Sequence, residues 1–324
     1  MKDPYHAVLF LLGLYAGYTL LSPYIALRHF IFLLFQGSAI FVHFRGKIRY
    51  TLGRSLLDYQ VLLAPVNTLL YLFSAIKPEP YIPVKQFPEL KLIRDNYTII
   101  RDEALALYAS GSIKSATGYN DVGFNSFFRT GWTRFHIYWY GVEMASAKVS
   151  CPKTIRILKS IPSVKAAMFA SLPPGKSLVR HRDPYAGSLR YHIGLFTPND
   201  PKCFIDVDGE RYFWQDGHDV MFDETYIHYA ANETEHPRII LFCDIERPLL
   251  CPGVQVFNHI FGKYVMSLAS SQNDTGETIG GLNVFFSYFY HIRHLFKRLK
   301  GSSRPLYYTL KWLTIFCLLY LLFW

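Results

Sequence analysis

Between about residue 118 and residue 250 the chain is a series of short alternating segments, each closed by a turn signal. Arg134-Phe-His-Ile-Tyr-Trp-Tyr140, Arg190-Tyr-His-Ile-Gly-Leu-Phe196, Cys203-Phe-Ile-Asp-Val207 and Ile239-Ile-Leu-Phe-Cys243 have the length and the β-branched and aromatic content of strands. Pro173-Pro-Gly175, Pro198-Asn-Asp-Pro201, Asp208-Gly209 and Asp216-Gly217 separate them. Strands this short, at this spacing, pair most readily as antiparallel neighbours, so the segment reads as a sandwich or barrel. Helices are expected before it. Leu90, Leu92, Ile93, Tyr97, Ile100, Ala104, Leu105 and Leu107 repeat at helical spacing and stop at Gly111.

The two ends have another character. Ala7 to Leu27 carries no charge, and Phe30 to Phe44 is a second apolar run. Pro305 to Trp324 holds a single charge, Lys311. Runs of about 20 apolar residues are long enough to span a bilayer as helices. Arg45, Lys47, Arg49 and Arg54 follow the first pair, and Arg293, Lys297, Arg298, Lys300 and Arg304 precede the last. Basic clusters on the inner side of both ends predict membrane anchoring, with the middle of the chain facing the cytoplasm. This gives five expected regions: hydrophobic anchoring helices at 1–44, a basic and helical lead-in at 45–117, the strand-rich core at 118–250, a helical basic segment at 251–304 and a membrane helix at 305–324.

The chain has 324 residues and a formal charge of +10, with 26 Phe and 24 Tyr. A basic balance also suits nucleic acid, but there is no recognition helix, stacking-sheet motif or zinc-finger spacing, so no nucleic-acid partner is expected. The five cysteines form no CxxC pair and no metal spacing, and read as reduced thiols.

Chemistry concentrates in the strand-rich core. His181-Arg-Asp183 places an imidazole and a carboxylate at i and i+2, which on extended backbone share one face. His228, in Phe222-Asp-Glu-Thr-Tyr-Ile-His228, can supply a third donor. Two His and one carboxylate on one face of Fe(II) leave adjacent positions open for a bidentate 2-oxo acid and for O₂. Arg190 and His192 alternate on the next strand, and Arg238 opens another. A guanidinium grips a carboxylate through two parallel hydrogen bonds, so Arg238 is placed for the distal carboxylate of 2-oxoglutarate. Arg190 and His192 are then expected beside the carboxylate next to the keto group. Taken singly, His192 equally suits a core histidine, and Arg190 and Arg238 suit surface ion pairs. Trp132 and the aromatic stretch from Phe124 to Tyr140 suit either an acyl slot or core packing.

These landmarks resemble the aspartyl/asparaginyl β-hydroxylase family, through Leu189-Arg-Tyr-His-Ile-Gly-Leu195, Trp214-Gln-Asp-Gly217, Phe222 to His228 and Arg238, with Gly131-Trp132-Thr-Arg-Phe135 and Cys151-Pro-Lys-Thr154 upstream. Within it the chain is most similar to the bacterial lipid A hydroxylases, on Phe41-Val-His-Phe-Arg-Gly-Lys-Ile-Arg49, His181 to His192 and Cys243-Asp-Ile-Glu-Arg-Pro248. The resemblance implies an α+β fold with a double-stranded β-helix (jelly-roll, cupin-like) core. It implies an Fe(II)/2-oxoglutarate-dependent dioxygenase that hydroxylates C2 of a secondary acyl chain on lipid A or a related membrane lipid, at the bacterial inner membrane. A peptidyl-aspartate/asparagine β-hydroxylase and a non-enzymatic metal-binding sensor or scaffold are the alternatives. Protein-modifying members often have Gly at the position of Asp183, which pulls away from a peptide substrate. Ala170 stands where a Ser that assists the distal arginine is expected. Its neighbour Ser171 faces the other way on a strand.

Overall fold

The structure is a computed structural model that describes residues 27–57, 59–116 and 121–323. The chain divides into two units, one of residues 1–45, 49–69 and 291–324 and the other of residues 46–48 and 70–290.

The second unit holds the strands. One sheet has seven: β1 (Tyr81–Ile82), β2 (Thr133–Trp139), β3 (Val142–Glu143), β4 (Val164–Leu172), β6 (Ser188–Phe196), β9 (Asp219–Phe222) and β11 (Arg238–Glu246). Their order across the sheet is β1-β9-β6-β11-β4-β2-β3, with every pairing antiparallel. A smaller sheet runs β5 (Lys176–Ser177), β10 (His228–Asn232), β7 (Cys203–Val207) and β8 (Glu210–Phe213). Side chains of both sheets line one internal cavity: Ala170, Arg190, His192, Arg238, Ile240 and Phe242 from the large sheet, Ile205, His228 and Ala230 from the small. Two antiparallel sheets facing each other across a cavity form the expected jelly-roll core within an α+β chain.

The pleat explains how the sequence builds this. On β11 the even positions Arg238, Ile240 and Phe242 face the cavity, and the odd positions Ile239, Leu241 and Cys243 pack behind the sheet. Both sets are buried, so the strand reads as one apolar run with isolated polar insertions. Helices cover the outer face. α2 (Tyr97–Ala109) buries Ile100, Ala104 and Leu107, and its Tyr97 Oη donates to the Leu195 carbonyl of β6 at 3.0 Å. Ser110 ends the helix and Gly111 follows at φ 70°, the left-handed position that glycine adopts without a steric penalty. The β7–β8 hairpin turns on Asp208 (φ 54°) and Gly209 (φ 90°), both left-handed as this tight turn demands.

In the other unit, α1 (Leu27–His43) accounts for most of the second apolar run. His43 Nδ1 and Ser55 Oγ are 2.8 Å apart in its buried part. Three further helices follow in the chain: α3 (Pro252–Tyr264), which belongs to the strand-bearing unit, α4 (Gly281–Ser302) and α5 (Arg304–Phe323). The expected membrane-crossing helices are not found among the described residues. Among the described residues no helix is long and apolar enough to cross a membrane. α5 begins with Arg304-Pro305 and carries Lys311 in its second turn, between Tyr307, Tyr308 and Trp312. The uncharged run from Ala7 lies outside the described residues except for Leu27.

Candidate metal centre and its cavity

His181 and His228 are brought together by backbone. The two residues form an antiparallel bridge, with His181 N donating to His228 O at 3.0 Å and His228 N to His181 O at 2.8 Å. Their rings lie 4.2 Å apart between centroids. Each Nδ1 sits against the carbonyl two residues earlier, His181 at 2.7 Å from Val179 O and His228 at 2.9 Å from Tyr226 O. A carbonyl only accepts, so each Nδ1 carries the proton and each Nε2 keeps its lone pair for a metal. Burial pushes both imidazoles below their ordinary range, and His181 helps bring His228 down to about 3. Both are therefore neutral at physiological pH, the form that binds a cation.

Asp183 completes the cluster from the loop that precedes β6. Donor atoms of His181, Asp183 and His228 all lie within 4.8 Å of one another. Asp183 Oδ2 accepts from an Arg190 guanidinium nitrogen at 2.7 Å, which leaves Oδ1, 3.9 Å from His181 Nε2, turned toward the imidazoles. Burial raises the Asp183 carboxyl, but Arg190 and the two histidines outweigh it and hold it below the usual range. Two neutral imidazoles and one ionised carboxylate, with adjacent positions left open, suit Fe(II).

Arg190 differs from expectation. Instead of a free cation beside the metal position it meets three carboxylates: Asp183, Asp244 at 2.8 Å from Nε and Glu224 at 3.2 Å. The register of β6 against β11 puts Arg190 directly opposite Asp244. Asp244 is held in turn by Tyr140 Oη at 3.1 Å, and Glu224 by Ser188 Oγ at 2.7 Å. Tyr140 adopts φ 45°, an unusual backbone for an aromatic residue, to reach into this cluster. Burial raises the Glu224 carboxyl far above its usual range, with Arg190 opposing and Asp244 and Asp183 adding to the rise. The network fixes Arg190, and Arg190 fixes Asp183. Glu224 and Asp244 were not singled out from the sequence. The available signals were the place of Glu224 inside the His228 loop and the even position of Asp244 on a strand whose even positions face inward.

Arg238 is the opposite case. It is 2 % exposed, and among the described residues no carboxylate lies within ion-pair distance of it. Its Nε has no hydrogen-bond partner, and its guanidinium lies 4.3 Å from the ring centroid of the buried Trp214. Burial alone brings it down to about 10, so it stays charged at neutral pH. Both ring nitrogens of His192, on the same cavity wall, are also without partners. Buried polar groups are almost always satisfied, and a charge this deep without a counter-ion implies a ligand. Ala170 lines the cavity beside these residues and Ser171 does not, as the strand alternation predicts. Phe124, Phe127 and Trp132 close it on the His181 side, with the Phe127 ring 4.6 Å from that of His181.

Residues 94–248 match the family model described as aspartyl/asparaginyl beta-hydroxylase. Over those residues the chain is similar to that family. An ornithine lipid ester-linked acyl 2-hydroxylase from Rhizobium tropici is 40% identical over 125 residues, 38% of this chain and 44% of that protein. Aspartate beta-hydroxylase domain-containing protein 2 from Xenopus tropicalis is 30% identical over 52% of the chain and 47% of its own length. The human aspartyl/asparaginyl beta-hydroxylase is 26% identical over 56% and 24%. The chain thus spans less than half the length of these relatives. Within the matched residues, β6 bears Arg190 and His192, and β11 opens with Arg238.

Proposed function

We propose that the chain is an Fe(II)- and 2-oxoglutarate-dependent hydroxylase acting on an acyl chain of a membrane lipid, at C2. One observation carries the co-substrate: the unpaired Arg238 and the unsatisfied His192 face the same buried cavity as the His181–Asp183–His228 cluster. 2-Oxoglutarate presents two carboxylates, and a cation buried opposite a metal position is what such a dianion requires. Bound iron with 2-oxoglutarate and O₂ supplies an oxidative decarboxylation strong enough to hydroxylate an unactivated C–H bond.

The protein's own part is orientation and exclusion of water. His181, Asp183 and His228 hold the metal with their remaining lone pairs. Arg238 grips the distal carboxylate in the fork geometry that only a guanidinium offers, with Trp214 as its floor. His192, neutral because burial and the nearby arginines keep it so, offers its ring nitrogens to the rest of the co-substrate. Arg190, occupied by three carboxylates, is a positioning residue that keeps Asp183 turned to the metal. Phe124, Phe127 and Trp132 supply an apolar wall against which an acyl chain can lie.

The lipid reading is supported by the Rhizobium tropici relative, whose name gives an ester-linked acyl chain as its substrate. Lipid A is the specific substrate we infer, with the reaction at the cytoplasmic face of the bacterial inner membrane. A peptide substrate is the second reading, supported by the human relative. The test is mass spectrometry of lipids from aerobic cells with and without the protein, alongside succinate release by purified enzyme. One added oxygen on an acyl chain, absent with Asp183→Ala, supports the lipid reading. Succinate release with every lipid unchanged redirects the search to peptides, and no succinate under any condition overturns the enzyme reading.

A further inference from the structure

Helix α3 is built inside out. Toward the protein it turns Asn258, Gly262 and Phe261, the last stacked on Tyr185, and toward solvent Val256, Phe257, Ile260 and Tyr264. The outer residues follow one another at three- and four-residue steps, the spacing of a single helical face. They are large and open: Val256 is 58 % exposed, Ile260 50 % and Tyr264 63 %, with Leu250 before the helix at 71 %. Val265 and Leu268 extend the surface beyond its end. α2 has the ordinary arrangement, with the apolar Ile100, Ala104 and Leu107 inside. In water a face like that of α3 is unfavourable, and a contiguous apolar patch marks a contact surface.

We propose that this outer face docks the domain onto an anionic lipid bilayer. Charge selects that occupant over another protein face. α3 contains no carboxylate, and its exposed side carries His259 and Lys263 among the apolar residues. Lys159 and Lys165 line the groove of about 390 Å³ that runs beside it, where Lys159 meets Glu143, and Lys165 and His259 share Glu246. In the groove Lys159, Lys165 and Lys263 outnumber the carboxylates Glu143 and Glu246, and an apolar stripe beside such an excess of positive charge, with a tyrosine at one end, matches the layering of hydrocarbon and phosphate at a membrane surface.

The inner face makes the docking useful to the site. Asn258 Oδ1 accepts from Tyr185 Oη at 2.6 Å, and Asn258 Nδ2 donates to the Gly187 carbonyl at 3.0 Å. Tyr185 and Gly187 belong to the loop that leads from Asp183 into β6. Docking therefore ties the segment bearing His181 and Asp183 to the layer that holds the substrate. The benefit to catalysis rests on the lipid reading above, but the contact itself does not.

The experiment uses the full chain with a polarity-sensitive fluorophore on Val256→Cys, against the equally labelled parent to remove the signal of native cysteines. Vesicles of phosphatidylcholine with and without phosphatidylglycerol are the probe. On anionic vesicles the label should shift to shorter wavelength and be quenched by brominated acyl chains. Adding Ile260→Glu should weaken the partitioning that this label reports by about tenfold. Lys263→Glu should weaken it most at low salt. A label that stays in water while the protein sediments with vesicles overturns the proposal, because binding then runs through other segments. So does a label that moves only when the chain self-associates, since that makes the face a protein interface. None of these readings involves iron or succinate. Loss of succinate release with docking intact would sink the hydroxylase assignment alone.

Discussion

The cavity has two arginine ends, and they are built on opposite plans. At one, Arg190 is surrounded by Asp183, Glu224 and Asp244, with Tyr140 and Ser188 behind them. At the other, Arg238 stands on Trp214 with no carboxylate within ion-pair distance among the described residues. Both guanidiniums are buried, so burial does not distinguish them. What does is whether the chain itself provides the counter-charge. A saturated buried cation holds other side chains in place. An unsatisfied one costs stability in the free protein and regains it when an anion arrives.

The largest effect expected lies between the two ends. Asp183→Ala or His228→Ala should lower succinate release by at least about a thousandfold, the scale seen when one member of a catalytic unit is lost. Equilibrium dialysis should show weakened iron binding in both. Full turnover in either variant would break the ligand assignment.

Arg238→Met tests the empty end. Leaving the co-substrate's carboxylate without its partner should raise the KM for 2-oxoglutarate by roughly a hundredfold. The unliganded variant should melt no lower than the parent, because a buried unpaired charge has been replaced by an apolar chain of similar length. Addition of 2-oxoglutarate should raise the parent's Tm and leave the variant's unchanged. A variant that melts well below the parent would mean that Arg238 has partners inside the protein.

Asp244→Asn tests the saturated end. It keeps the shape and removes a charge from Arg190, so iron affinity should fall by about ten- to a hundredfold, as for residues that orient metal ligands. The KM for 2-oxoglutarate, measured at saturating iron, should change by less than about threefold. If that KM rises as steeply as in Arg238→Met, the two ends share one task. The smallest effect expected is from Ala170→Ser. A hydroxyl on the cavity wall beside Arg238 should tighten 2-oxoglutarate by about threefold, within the worth of one added hydrogen bond.

The same contrast marks what was legible in the sequence. The strand-rich core was, because alternation and turn chemistry are local: Cys203–Val207 agrees end for end, and Asp208-Gly209 turns where expected. The two-residue strands at Tyr81–Ile82, Val142–Glu143 and Lys176–Ser177 exist only through pairing, and no local pattern announces them. In the site, the spacing of His181, Asp183, His228 and Arg238 was informative because their chemistry needs few partners. The role of Arg190 was not, since it depends on the register that sets Asp244 opposite and on the loop that returns Glu224.

The bridge between His181 and His228 has a consequence for the order in which the protein matures. Two of the three donors are aligned by main-chain pairing that needs no ion, so the folded chain is a finished socket before anything enters it. Under the proposed function, such a protein could be stored empty, filled when iron becomes available, and refilled after the metal is lost to oxidation or a chelator. Supply of the metal then acts as a throttle on activity, separate from synthesis and degradation of the protein.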